Sequence, residues 1–168
     1  MKKFLLTAVV FSGAVLLAGT DLNVKHFSTP ENGLSRIVSR GGWFGRKAIM
    51  LDGKAGTVSG VATTAASSMY RKVFPFRQAV YEVSADILVR GTAYIDLLFI
   101  DASGKTVLTR RVISATAPGS GSRREYEGKA DMRGILLENP PVAVRLVIGI
   151  KENSSAVFDD IELEIDND

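Results

Sequence analysis

Few residues of this chain could do chemistry by themselves. Of 168 residues, one is His and none is Cys. Without cysteine there is no disulfide, no thiol nucleophile and no Cys-ligated zinc or iron–sulfur site. The lone His26 rules out a multi-histidine metal centre and is the only candidate imidazole base, with no G-x-S-x-G elbow beside it. Gly119-Ser120-Gly121 lacks the Lys and the spacing of a phosphate loop. Glu125 and Glu127 form an i,i+2 carboxylate pair. Glycosidic chemistry needs two carboxylates about 5–10 Å apart across a cleft, and a solvated strand face explains this pair more simply. The doublets Arg110-Arg111 and Arg123-Arg124 read as solvated. No base–nucleophile set emerges, and no enzyme is expected.

The sharpest feature is a carboxylate out of place. In the last apolar-charged alternation, Val157, Ile161, Leu163 and Ile165 share one strand face, opposite Phe158, Asp160, Glu162 and Glu164. Asp159 falls in the apolar set, where an unpaired carboxylate is costly. Three readings are open. Asp159 ligates a hard cation such as Ca²⁺, with Asp160 as the fallback ligand if a bulge shifts the register. Alternatively, a bulge turns Asp159 outward. In the third, it pairs with an Arg. The aromatic residues Trp43, Tyr70, Tyr94 and Tyr126 are candidate stacking surfaces for sugar rings, or ordinary packing residues. Tyr94, Asp96 and Arg145 fall on the polar alternation of their strands, so they can share an outer sheet face.

The elements that must position these residues are strands. Arg46–Leu51 reads as a short strand closed by Asp52-Gly53. Thr57–Val61 and Met69–Phe76 are weaker ones, the latter ended by Pro75. From Ala79 the odd positions Tyr81, Val83, Ala85, Ile87 and Val89 are apolar. Gly91 breaks the run, and Ala93, Ile95, Leu97 and Phe99 resume it. A turn at Asp101–Gly104 leads into Lys105–Ile113, which suggests a three-stranded antiparallel meander. Ala115–Ser122 reads as a loop, Arg123–Met132 as a strand and Gly134–Asn139 as a brief helical turn. Val142, Val144, Leu146, Ile148 and Ile150 then form another apolar face. Strands at roughly ten-residue spacing, with no long helical period, predict an all-β fold, a two-sheet antiparallel sandwich or barrel.

The N-terminus has targeting chemistry. Lys2-Lys3 precede an apolar run from Phe4 to Leu17 and small residues Ala18-Gly19. Residues 1–20 are expected to be a bacterial signal peptide, with an uncleaved anchor as the alternative. Thr20 stands where a lipoprotein signal needs Cys. The remainder, 21–168, is expected to be one domain, periplasmic or secreted. Without Lys2 and Lys3 the balance is 19 basic against 18 acidic residues. That balance predicts no nucleic-acid partner and no membrane partner after cleavage.

With the strands placed, Trp43 to Asp166 resembles the carbohydrate-binding modules of the galactose-binding-like jelly roll, the type associated with xylanases and glucanases. The resemblance is carried in order by Arg46–Leu51, Val80–Ile87, the Leu97–Lys105 hairpin, Ala143–Leu146 and Val157–Leu163 with its paired Asp159-Asp160. It implies a two-sheet jelly roll with a structural calcium whose ligands include Asp159. One departure is Ser28 after Phe27, where the family often has a ligating Glu; Glu31 is a possible substitute. The resemblance implies an exported, non-catalytic module that binds a polysaccharide or glycan, with Trp43, Tyr94, Asp96 and Arg145 as contacts. The alternative is a structural or adhesive envelope protein that uses the same fold to bind protein.

Overall fold

A computed structural model of the protein describes residues 20–22, 27–28, 35–53, 61–64, 79–117, 119, 121 and 123–166. His26, Glu31, Tyr70, residues 1–19 of the predicted leader and the Met69–Phe76 strand lie outside them, as does most of Thr57–Val61; Thr20, the last residue of that leader, is in β1. The described strands are β1 (Thr20–Leu22), β2 (Phe27–Ser28), β3 (Ser35–Val38), β4 (Ala48–Asp52), β5 (Val61–Thr64), β6 (Val80–Ile100), β7 (Thr106–Ala117), β8 (Arg123–Asp131), β9 (Ala143–Ile150) and β10 (Ser155–Asp166). A short 3-10 turn, Trp43–Gly45, joins β3 to β4.

These strands form a two-sheet antiparallel sandwich, one of the two forms that the alternation predicts and the jelly roll that the resemblance implies. One sheet runs β3–β4–β10–β6–β8, with β1 alongside the second half of β10. The other runs β2–β5–β9–β6–β7. β6 belongs to both: residues 80–90 pair in the first sheet and 91–100 in the second. We call them the β10 sheet and the β9 sheet after the strands at their centres.

The two apolar runs are therefore not neighbours in a meander. They are halves of one strand that folds over at Gly91 and packs against itself through side chains. An extended strand would put Tyr81 and Phe99 roughly 60 Å apart at about 3.3 Å per residue. Their ring centroids lie 5.1 Å apart, edge to face at 79°. Gly91 makes the corner because its φ is +85°, where a side chain is strained, and because a Cβ would overlap the Ser154 side chain. Ser154 Oγ in turn accepts a hydrogen bond from the Thr92 amide at 2.9 Å. Tyr81, Ile87, Ile95, Leu97 and Phe99 are fully buried between the sheets, with Leu146, Ile148, Ile150 and Phe158 closing the core.

The Asp101–Gly104 turn is as expected. The Asp101 amide donates to the Lys105 carbonyl, and its carboxylate accepts from the Ser103 amide and hydroxyl and the Lys105 amide. Three readings need correction. β7 continues to Ala117, because Ile113 and Ala115 keep the inward alternation where glycine and proline suggested a loop. Gly134–Asn139 forms a turn rather than helix, with Gly134 at φ +74°. Val142 lies ahead of β9 and is 41% exposed, while the residues expected to share its face are buried.

Candidate functional site

The outer face of the β9 sheet brings three of the four expected contacts onto one surface. Tyr94 and Asp96 alternate on β6, and Arg145 on β9 lies beside Leu98. Sequence reasoning missed the residue that organises them. Ile113 faces the core, and strict alternation would send Arg111 inward too. Instead β7 has a bulge: Ile95 pairs with Ile113, but Asp96 pairs with Arg111. The extra residue, Val112, flips the parity and puts Arg111 on the outer face. Its guanidinium grips Asp96 with two hydrogen bonds, 2.8 Å from Nε to Oδ1 and 2.9 Å from Nη2 to Oδ2. It also lies 3.9 Å from the Tyr94 ring centroid. The Asp96 hydrogen bond holds the guanidinium even more firmly protonated than usual.

Beneath Tyr94 the sheet is thinned. A Cβ at Gly149 would overlap the ring, so glycine lets Tyr94 lie across the β9 backbone. The result is a stacked, ion-paired group held from three strands, with the Arg111 side chain 45% exposed at its outer side. Arg145 marks the end of this face. Its Nε is buried and has no hydrogen-bond partner among the described residues. The side chain lines a cleft of about 610 Å³ with Ile100, Val142, Ala143 and the Asp101–Gly104 turn. Hydrogen bonds from Ser103 and Lys105 hold the Asp101 carboxyl below its ordinary pKa, so this rim keeps a fixed negative charge. Trp43 is not brought to this face. Its turn packs by Gly42 against Asp159 of the β10 sheet, and its side chain lies outside the described residues.

The Asp159 puzzle resolves through both of the structural readings. The register of β10 against β6 shifts between Asp159 and Glu162, and Asp160 adopts a left-handed φ of 48°. Before the bulge the inward residues are Ala156 and Phe158; after it they are Ile161 and Leu163. So Phe158, expected on the charged face, is core, and half-buried Val157 is not. Asp159 points away from Phe158 and is covered by the Gly41-Gly42 backbone. Arg123 Nη1 donates to its Oδ2 at 3.2 Å while Nη2 donates to the Gly41 carbonyl at 2.7 Å. Asp160 is exposed, with Arg46 at 3.8 Å.

Among the described residues, this donor set does not make up a calcium site; Glu31, the substitute ligand, lies outside them. A hard divalent ion takes six to eight oxygens. Here one carboxylate and one carbonyl already share a guanidinium, and among the described residues no group of three or more His, Asp or Glu could hold a metal ion. Arg123 places a positive charge against Asp159, at the position where the resemblance expects a calcium ligand.

The carboxylates opposite line a groove on the β10 sheet. Glu125, Glu127, Glu162 and Glu164 face it with Glu82, which is bridged to Lys129. At one end Asp86 has its carboxyl pushed up, mainly by burial and further by Asp160 and Asp159, against a downward pull from Arg123. The Glu125/Glu127 pair is thus part of a broad charged face.

No protein-family model matches the sequence, and no curated protein sequence is similar to it. Its fold, however, is the jelly-roll sandwich of carbohydrate-binding modules. A Clostridium thermocellum endo-1,4-beta-D-xylanase structure with CBM22-1 and GH10 modules, complexed with xylohexaose, matches at TM-score 0.60 and 14% identity. The match covers 89% of this chain, which spans only 28% of that one. The CBM22-1 xylan-binding domain of a Paenibacillus barcinonensis protein matches at 0.56 and 11%, over 88% of this chain and 92% of the domain. A cyclase from Fischerella sp. TAU matches at 0.59 and 9%, over 89% and 88%. Identities this low establish the fold, and the fold carries more than one activity.

Proposed function

We propose that this chain is an exported, non-catalytic glycan-binding module whose ligand lies along the outer face of the β9 sheet. The observation that carries the reading is the Tyr94–Arg111–Asp96 group continued by Arg145: an aromatic ring, fixed hydrogen-bonding groups and a cleft lie along one exposed sheet. Hydroxyl-rich chains suit such a surface, since Arg111 and Asp96 are already fixed against each other and lose little freedom on binding. Xylan is the first ligand to test, because two of the similar structures are described with xylan or xylohexaose.

A catalytic reading is favoured by one observation, the raised carboxyl of Asp86 in the acidic groove, and by the cyclase likeness. A proton donor of that kind needs a substrate pocket beside it. The groove there is small, about 160 Å³, and lined mostly by carboxylates, so the binding reading is preferred.

The test is calorimetry against xylo-oligosaccharides and a broad glycan panel, with Arg111→Ala and Arg145→Ala. Each substitution is expected to weaken binding about tenfold, the loss of one charged hydrogen-bonding group. Binding unaffected by both would displace the site from this face. No glycan bound across the panel would favour the envelope protein-binding alternative.

A further inference from the structure

The Gly-framed aromatic pair Gly41-Gly42-Trp43-Phe44-Gly45 takes no part in the β9-sheet site, yet it is one of the most constrained turns of the molecule. Phe44 has a left-handed φ of 52°, which a bulky side chain rarely adopts. It is also 87% exposed. A bulky residue held in this backbone region costs free energy, and such strain clusters at functional sites. The turn is fastened rather than loose: the Gly42 amide donates to the Arg46 carbonyl at 3.0 Å, the Gly45 amide to Gly42 at 3.3 Å, and Arg123 holds the Gly41 carbonyl.

The charge around it is one-sided. No acidic residue stands between Glu31 and Asp52, a stretch with Arg36, Arg40, Arg46 and Lys47. Arg40, Arg46 and Lys47 are exposed and lie within four residues of Phe44 in the chain. The near-zero balance of the chain without its leader hides this local excess; among the described residues the exposed Asp160 lies 3.8 Å from Arg46 and offsets part of it.

We propose that this turn docks the protein on an anionic lipid bilayer, with Phe44 entering the acyl boundary and Arg40, Arg46 and Lys47 at the headgroups. A sugar ring offers Phe44 a C–H face to stack on, but no hydrocarbon interior for an 87% exposed ring to enter. A bilayer with anionic headgroups offers that interior together with negative charge, and the complementarity is the one that interfacial aromatic and basic residues use. The glycan face and this turn lie on different sheets, so both partners can be held by one chain.

The sole Trp of the chain, Trp43, precedes Phe44, so its fluorescence reports on the turn itself and not on the apolar N-terminal segment. The full chain is titrated with vesicles of phosphatidylcholine alone or with equal phosphatidylglycerol, some carrying brominated acyl chains. Trp43 emission is expected to shift to the blue and be quenched by the brominated chains only in the anionic vesicles. Phe44→Asn, a residue suited to left-handed φ, is expected to keep or raise the melting temperature and keep glycan binding, while the Trp43 response weakens about tenfold. Arg46→Glu with Lys47→Glu should abolish it. The proposal is overturned by equal quenching in Phe44→Asn, by an equal response to neutral vesicles, or by a response to soluble dextran sulfate with none to vesicles.

Discussion

At Asp159 the carboxylate is 6% exposed, and its charge is compensated by an Arg123 side chain 13% exposed. Removing one partner of a pair so buried leaves a charge without compensation, whereas removing both with apolar replacements does not. Arg123→Ala is expected to lower stability by about 3 kcal/mol in urea unfolding, and Arg123→Met with Asp159→Leu to recover most of it. With the guanidinium in the place assigned to calcium, EDTA should leave the wild-type melting temperature unchanged, since an ion bound to the folded state would raise it by mass action. A fall in melting temperature with EDTA, restored by Ca²⁺, would show that the Arg123 pairing is not the resident arrangement.

Among the elements, β6 carries the fold because it lies in both sheets, and its corner depends on one position. A side chain at Gly91 meets two obstacles, the φ of +85° and the Ser154 side chain. Gly91→Ala is expected to cost about 2 kcal/mol, in the range of a residue forced into a sparsely populated backbone region. Adding Ser154→Gly removes the side-chain overlap but not the backbone strain, and Ser154→Gly alone measures the Thr92 hydrogen bond lost with it. The size of the recovery in urea midpoints therefore separates the two, and a neutral Gly91→Ala would mean the corner is softer than its geometry. The same logic applies where β7 meets β8: a Cβ at Gly128 would overlap the Val112 carbonyl, the residue whose bulge turns Arg111 outward. A glycine on one strand thus makes room for the bulge that builds the face on another.

Over the whole molecule, charge is sorted by surface: carboxylates over the β10 sheet, Arg111 and Arg145 on the β9 sheet, cations at the Phe44 turn. This sorting sets the response to acid. Arg133, donating from its side chain and amide, holds Asp131 at about 2, and Asp101 is also held low by its turn. A carboxyl lowered in the folded state contributes stability above its unfolded value of about 3.9, and this is lost as pH falls through the folded value. Asp86 is raised and has the opposite sign: its charged form opposes folding, and protonation relieves that as pH falls. Stability measured from pH 7 downward should therefore hold or rise slightly near the acid range, then drop between about pH 4 and pH 2. Asp131→Asn should flatten that drop and Asp86→Asn should remove the early gain. A profile identical in both variants would remove these two groups as its cause.

The sequence by itself determined the sandwich, because period-two alternation of apolar side chains states directly which residues face inward along each regular strand. It identified Tyr94, Asp96 and Arg145 as outer-face residues, since none of the three lies beyond an irregularity in its own strand. It misplaced Phe158 and could not foresee what Arg111 grips or which of its open readings Asp159 follows, for a common reason. A bulge inserts one residue and reverses every inward–outward assignment beyond it, and whether a strand bulges depends on the neighbour it pairs with. The meaning of Gly91 was equally hidden: a glycine between two apolar runs marks a hairpin, a loop or a corner, and only the pairing partners on either side distinguish them. Pairing across the sheet is a long-range property of the folded chain, so tertiary structure alone decided that Arg123 would sit on Asp159 and Arg111 on Tyr94.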